Sequence, residues 1–338
     1  MLAEWKGSPV VAFVAALLVT LAVTPWVQAL AWRCGAVAKP DARRRHPAPI
    51  AQWGGIAIFL AVAVAALLWR QPTLQDARFL APSAHPAAVQ ATAETLHLST
   101  VFFGCGFLIL LLGMIDDRFE LKPYLKFGAQ IAIVYLLWRG GVRIRTLPFS
   151  AGTQPLSDVA SLALTMIWVL GLTNGVNFID GVDGLAAGVC AIGAGSLSII
   201  EGLKGATWAP GAAAAICGSC LAFLRYNFNP ARIFLGDSGS MLLGFWLATI
   251  AVAATSKTAA ATTLALPLLV LGVPVLDTVW AIVRRTLAGQ PVWQADRGHL
   301  HHRLLARGLS PRKTVLIIYA VSVLLGATAV MWVWAGTR

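Results

Sequence analysis

Ten apolar stretches limit what this chain can fold into. They lie near residues 8–32, 53–69, 99–115, 125–138, 159–173, 185–200, 209–224, 239–254, 261–283 and 314–335. About 18 to 20 apolar residues in helical form cross the hydrocarbon of a bilayer. Most of the runs approach or exceed that length; 125–138 and 159–173 are the short ones. Composition points the same way: 58% of the 338 residues are hydrophobic and 12% are charged, and the mean hydropathy is +0.75. The expectation is an all-α polytopic membrane protein, one domain over 1–338, with about ten transmembrane helices. An eleventh span could hide in 70–98. The first run is too long for a signal peptide, and no A-x-A-type site followed by a soluble domain appears, so it should remain as the first helix. Trp26, Trp32, Trp69 and Trp138 stand near run ends, where amphipathic rings favour the headgroup region.

The five cysteines make no disulfide framework. Cys217 and Cys220 form a C-x-x-C, but within an apolar run and with no histidine nearby, so they read as small packing residues.

Ten crossings place both termini on one side and divide the loops into two sets. Loops 33–52, 116–124, 174–184, 225–238 and 284–313 hold sixteen of the 26 Lys and Arg residues, and the other set, tails included, holds nine. The remaining one, Lys126, begins a run. The positive-inside rule assigns the first set to the cytoplasm. The net charge of +12 suits anionic headgroups and anionic substrates. Nucleic acid is disfavoured, because the chain has no soluble basic domain.

The same five loops hold nearly every unusual polar cluster. Asp116 and Asp117 follow the run FLILLLGMI. They could be solvated there, but carboxylates at a helix C-terminus oppose the macrodipole and repel each other; a divalent cation or a proton-acceptor role would offset both. Asp180 and Asp183 lie three apart in NGVNFIDGVDG, preceded by Asn174 and Asn177 at the same spacing. If the segment is helical, all four line one face. Asp183 could instead cap the following helix. Asp237, in FLGDSGS, opens another run, where an N-cap would explain it equally well. His299, His301 and His302 form H-x-H-H beside Arg297 and Arg303. That spacing suits zinc poorly and no cysteine is close, so a diphosphate or sugar clamp is the better reading. Acidic groups for a hard cation, basic groups for phosphates and a membrane together describe phosphoryl transfer onto or off a lipid.

In this order, 40-PDARRRHPAPIAQWGG-55, 113-GMIDD-117, 174-NGVNFIDGVDGLAAG-188, 234-FLGDSGSMLLG-244 and 297-RGHLHHRL-304 resemble the polyprenyl-phosphate N-acetylhexosamine-1-phosphate transferases, glycosyltransferase family 4. H-L-H-H is closest to the WecA/TagO branch; the S-P-x-H-H-H-like run of the MraY branch is absent. The resemblance implies transfer of a HexNAc-1-phosphate, foremost GlcNAc-1-phosphate, from a UDP-sugar to undecaprenyl phosphate. UMP is released, and the product starts cell-envelope polysaccharide synthesis. It further implies Mg²⁺, which Mn²⁺ can replace, and a bacterial inner-membrane enzyme whose active site of five loops faces the cytoplasm. Asp237, Asn177 and Asp117 match metal-site residues; Asp116, Asp117, Asp180, Asp183 and the three histidines match catalytic ones. Asn174, Asn177, Phe234 (stacking on uracil), Arg297, Arg303 and His46 match substrate-binding ones. The implied partners are the UDP-HexNAc, undecaprenyl phosphate and membrane lipids; a homodimer is left open. Transfer of phospho-MurNAc-pentapeptide is the first alternative. A secondary transporter is the second, but such proteins place ionisable groups at mid-membrane. Here Asp277 is the clearest such group, near Pro274, where a kink packing it inward is expected.

Overall fold

The computed structural model describes residues 8–38, 48–68, 86–146, 155–206, 208–255, 265–289 and 298–337. Twelve helices, α1 to α12, lie among them: α1 Pro9–Cys34, α2 Gly54–Leu68, α3 Pro86–Phe119, α4 Pro123–Arg139, α5 Asp158–Ile179, α6 Leu185–Leu203, α7 Ala209–Asn227, α8 Gly236–Thr255, α9 Ala265–Val270, α10 Gly272–Leu287, α11 Leu300–Ala306 and α12 Pro311–Gly336. A two-residue antiparallel ladder joins β1 (Val37–Ala38) to β2 (Ile50–Ala51), and Ile233 bridges Ala51 in parallel. The all-α membrane class is correct: seven helices are long and apolar enough to cross a membrane. The other expected runs fall on shorter pieces. Residues 53–69 give the 15-residue α2, 125–138 the 17-residue α4, and 261–283 the pair α9 and α10.

Pro274 does not kink a continuous helix. The break falls at Leu271, and Pro274 sits in the first turn of α10, where its missing N–H costs no bond. Helix α3 starts well before the apolar run and takes in 86–98.

Helix α8 is the hub. It packs against α2, α3, α5, α6 and α7, and its side chains from Met241 to Val252 are almost wholly covered. Phe102 stacks on Trp246 there, with ring centroids 5.2 Å apart. Outer helices show their apolar faces instead: Trp26 is 78% exposed and Leu324 67%. That is the distribution expected of a bundle whose surroundings are as apolar as its core. Trp32 is also exposed, but Trp138 is buried, donates to Ser161 Oγ at 3.1 Å and lies under the Arg143 guanidinium. Its indole N–H thus finds its partner inside the protein. Trp69 lies outside the described residues.

The helices alternate in direction, and this alternation collects the C-termini of α1, α3, α5, α7 and α10 with the N-termini of α2, α4, α6, α8 and α12. Long-range bonds tie that end together. Arg118 Nε donates to Cys34 O at 2.9 Å, Gly54 N to Phe234 O at 3.1 Å, and Arg312 Nε to Asn229 O at 3.1 Å.

Candidate active site

The site is assembled around the N-terminus of α8. Gly113 of α3 lies against the Ser238 backbone, where a Cβ would overlap it. That close approach brings Asp116 and Asp117, one turn further along α3, to the start of α8. The free N–H groups of a helix N-terminus need acceptors. Asp117 supplies two: its Oδ1 accepts from Asp237 N at 2.7 Å and its Oδ2 from Ser238 N at 3.1 Å. Gly236 makes room for this carboxylate, and its φ of +67° is one that other residues rarely adopt.

Capping therefore comes from Asp117, on another helix, and not from Asp237. The Asp237 side chain is turned to other partners. Its Oδ1 accepts from Asn177 Nδ2 at 2.8 Å, and its Oδ2 is paired with Lys126 Nζ. The same ammonium lies 2.8 Å from Asp116 Oδ2, while Asp116 Oδ1 accepts from Leu121 N at 2.8 Å. Asp116 and Asp237 thus share one lysine, and Asp117 holds the backbone at Asp237.

Asn177 also donates to Ser240 Oγ at 2.8 Å. Asn174 points elsewhere: it donates to Gln130 Oε1 at 2.8 Å, deep between α4 and α5. The expected single stripe of Asn174, Asn177, Asp180 and Asp183 does not form. Helix α5 stops at Ile179 and the chain turns through 180–184, with Gly184 in the left-handed region. Asp180 is half-buried in that turn. Asp183 Oδ2 accepts from Asn229 Nδ2 and Ala231 N, both at 3.0 Å. It braces the 229–231 loop and does not cap α6, whose N-cap, Gly184, makes no side-chain bond. Half-buried Phe234 is fixed through its backbone, with its N donating to Ala51 O at 2.8 Å.

The histidines form a second cluster at the same end. His299 and His301 are stacked in parallel with centroids 5.9 Å apart, and His301 is 4.2 Å from His302. Phe178 lies 5.7 Å from His299. His301 is 1% exposed, and among the described residues neither ring nitrogen has a hydrogen-bond partner. It lies over Gly181, where a Cβ would come within 2.8 Å of its Nε2. Burial, then the neighbouring His302, push its pKa down to about 3, so it is neutral at physiological pH. Arg303 is exposed in α11. His46 and Arg297 lie outside the described residues.

Two further residues act here. Lys126 begins an apolar run in the sequence; a lone ammonium one turn into an apolar helix is the signal that marks it. Asp277 stands out in the sequence, but its partner does not: Oδ2 lies 2.9 Å from His299 Nδ1 and Oδ1 accepts from Leu300 N at 2.8 Å. Nothing in local sequence links positions 277 and 299.

The donor set suits a magnesium ion. Among the described residues, no three His, Cys, Asp or Glu side chains converge as a metal cage. Mg²⁺ seldom needs one, because one or two carboxylates plus substrate phosphates usually hold it. Asp116 and Asp237 already share a cationic point, now taken by the Lys126 ammonium.

Fold and site together define a polytopic membrane protein with an acidic, lysine-bridged cluster and a histidine cluster at one end. Residues 99–255 match the family model described as glycosyl transferase family 4. The probable undecaprenyl-phosphate N-acetylglucosaminyl 1-phosphate transferase of Bacillus subtilis is 34% identical over 333 residues, covering 98% of this chain and 87% of that protein. The decaprenyl-phosphate N-acetylglucosaminephosphotransferase of Mycolicibacterium smegmatis is 38% identical over 326 residues, 90% of this chain and 77% of that protein. The undecaprenyl-phosphate alpha-N-acetylglucosaminyl 1-phosphate transferase of Escherichia coli K12 is 24% identical over 308 residues, 89% of this chain and 78% of that protein. The chain belongs to glycosyl transferase family 4, in its WecA/TagO-like branch of polyprenyl-phosphate sugar-1-phosphate transferases.

Proposed function

We propose that this protein transfers N-acetylglucosamine-1-phosphate from its UDP-sugar to undecaprenyl phosphate. An oxygen of the lipid phosphate attacks the β-phosphorus of the UDP-sugar. A new P–O bond forms, the bond from β-phosphorus to the bridging oxygen breaks, and that oxygen leaves with UMP. The lipid-diphosphate sugar begins a cell-envelope polysaccharide. The observation that carries the reading is the meeting of Asp116 and Asp237 on Lys126, with Asp117 holding the backbone at Asp237, in a chain of this family.

Asp237 and Asp116 would hold Mg²⁺, or Mn²⁺ in its place, with the Asn177 amide orienting Asp237. The ion would neutralise charge on the diphosphate in the transition state. Asp117 holds the α8 N-terminus in place through two backbone N–H groups. Lys126, released from its two carboxylates when cation and substrate arrive, can turn its ammonium to phosphate oxygens. A lipid phosphate monoester is already largely ionised at neutral pH, so the attacking oxygen needs little help from a base. Asp180, Asp183 and Phe234 place the turn and loop for the nucleoside, and the histidines with Arg297, Arg303 and His46 receive sugar and phosphate. We place the spans at ten, the shorter helices included, and the site on the cytoplasmic side of a bacterial inner membrane, in line with the loop charge.

The test is UMP release by purified protein with undecaprenyl phosphate, Mg²⁺ and a panel of UDP-sugars. UDP-GlcNAc is expected to lead. Efficient use of UDP-MurNAc-pentapeptide would overturn the donor assignment. A chelator should stop turnover and Mn²⁺ restore it. Lys126→Met should bind Mg²⁺ more tightly by calorimetry yet turn over more slowly; unchanged affinity and rate would remove Lys126 from the site.

A further inference from the structure

The histidine segment is gripped from one face of α10. Residues 277 and 284 are two turns apart on that helix and so share a side. Asp277 Oδ2 lies 2.9 Å from His299 Nδ1, and its Oδ1 accepts from Leu300 N at 2.8 Å. Arg284 Nη1 donates to Gly298 O at 2.8 Å. Gly298 is small for a reason: a Cβ there would overlap the Arg284 guanidinium. One helix thus supplies an acceptor and a donor to three successive residues of the segment.

A carboxylate is costly to bury, and Asp277 is only 8% exposed within an apolar helix. Two N–H donors meet its oxygens, and one of them is an imidazole. An ionised carboxylate only accepts, so Nδ1 of His299 must carry the hydrogen. When one ring nitrogen of the buried ring is fixed in this way, the other is defined: Nε2 is left without a hydrogen, as an acceptor. The ring is held from a second side by Phe178 and His301.

We propose that Asp277 is the positioning residue of this site, holding His299 as the Nδ1–H tautomer so that Nε2 is the nitrogen offered to substrate, while Arg284 fixes the backbone beside it. The substrate side of this inference rests on the transferase reading. His301 does not share the role, since no partner among the described residues sets its tautomer. The three histidines are therefore unequal: one is oriented by a carboxylate, one is buried with no hydrogen-bond partner among the described residues, and His302 stands beside them.

The test uses the full chain in detergent, labelled with ¹⁵N-histidine. Only six histidines contribute signals, and His299→Gln identifies the one in question. In the wild type, His299 should be protonated at Nδ1 with Nε2 bare. Asp277→Asn keeps the size and the acceptor for Leu300 N, but presents an amide N–H to the ring. His299 should then switch to the Nε2–H tautomer, and kcat for UMP release should fall roughly tenfold to a hundredfold. Arg284→Met should lower kcat while leaving the tautomer unchanged. A wild-type His299 protonated at Nε2 would overturn the proposal, and so would an Asp277→Asn protein that slows without a tautomer switch. The wild-type spectrum decides the matter even if Asp277→Asn does not fold. Failure of the wild type to release UMP, with the expected tautomer present, would sink the transferase reading and with it the substrate side, and leave the positioning of His299 by Asp277 standing.

Discussion

The two ends of the bundle both contain paired charges, and they differ in how far apart the partners lie in the chain. At the end opposite the site, Lys204 pairs with Glu201 within one helical turn, and Arg143 reaches Asp158 across a single connection. These are staples between neighbours. At the site end Lys126 pairs with the nearby Asp116 but also with the distant Asp237, Asp117 holds the backbone at 237 and 238, and Asp183 holds Ala231. These contacts join separate helices and gather like charges in a small space. Local pairs can form whatever the tertiary fold. Distant ones that bring carboxylates together oppose folding unless a cation or a ligand offsets their repulsion. The contrast marks which end was shaped for binding, and it can be broken or sharpened in four ways.

The largest effect is expected at Asp237. Asp237→Asn keeps an oxygen for Asn177 but loses the charge, so kcat should fall by about a hundredfold or more while the melting temperature in detergent barely moves. Near-normal kcat in saturating Mg²⁺ would remove Asp237 from the cation site.

Asp117→Asn comes next. An amide offers one acceptor oxygen where two were used, so one N–H at the start of α8 is orphaned. Activity should fall about tenfold, with a stability loss of about 1 kcal/mol measured by denaturation in detergent. An activity loss with full stability would mean that Asp117 acts on the ligand and not on α8.

His301 should show itself through pH. Its folded-state pKa of about 3 lies below the ordinary 6.5. As pH falls, the unfolded chain takes up the proton first, so this contribution to stability is complete above about 6.5 and shrinks as pH drops toward 3. Thermal melts at pH 7.5 and 5 should differ less in His301→Gln than in the wild type. An equal difference would mean that the ring is not held neutral. Being 1% exposed, His301 also packs. His301→Ala should therefore destabilise, unlike a substitution that only removes a ligand contact.

The smallest effect belongs to the opposite end. Asp158 is 80% exposed in its pair with Arg143. Asp158→Ala should change stability by less than about 0.5 kcal/mol and leave kcat untouched. A large loss of activity there would abolish the distinction between the ends.

Much of this was legible in the chain. Run length and apolarity determined helices and a membrane, because a bilayer leaves the backbone no other way to bond. The loop clusters pointed to acidic and basic groups meeting, and to the residues around Asp116, Asp237 and the histidines. What stayed hidden was pairing. Asp237 reads as a helix cap until α3 brings Asp117 to the same N–H groups. Asn174 and Asn177 read as neighbours on a stripe until one faces Gln130 and the other Asp237. Lys126 reads as the edge of an apolar run, and Asp277 as a stray charge near a proline. Periodicity and composition are properties of a segment, so sequence determines them alone. A partner across more than a hundred residues depends on which helix ends the packing brings together, and small residues such as Gly113 and Gly236 decide that only once the helices have met.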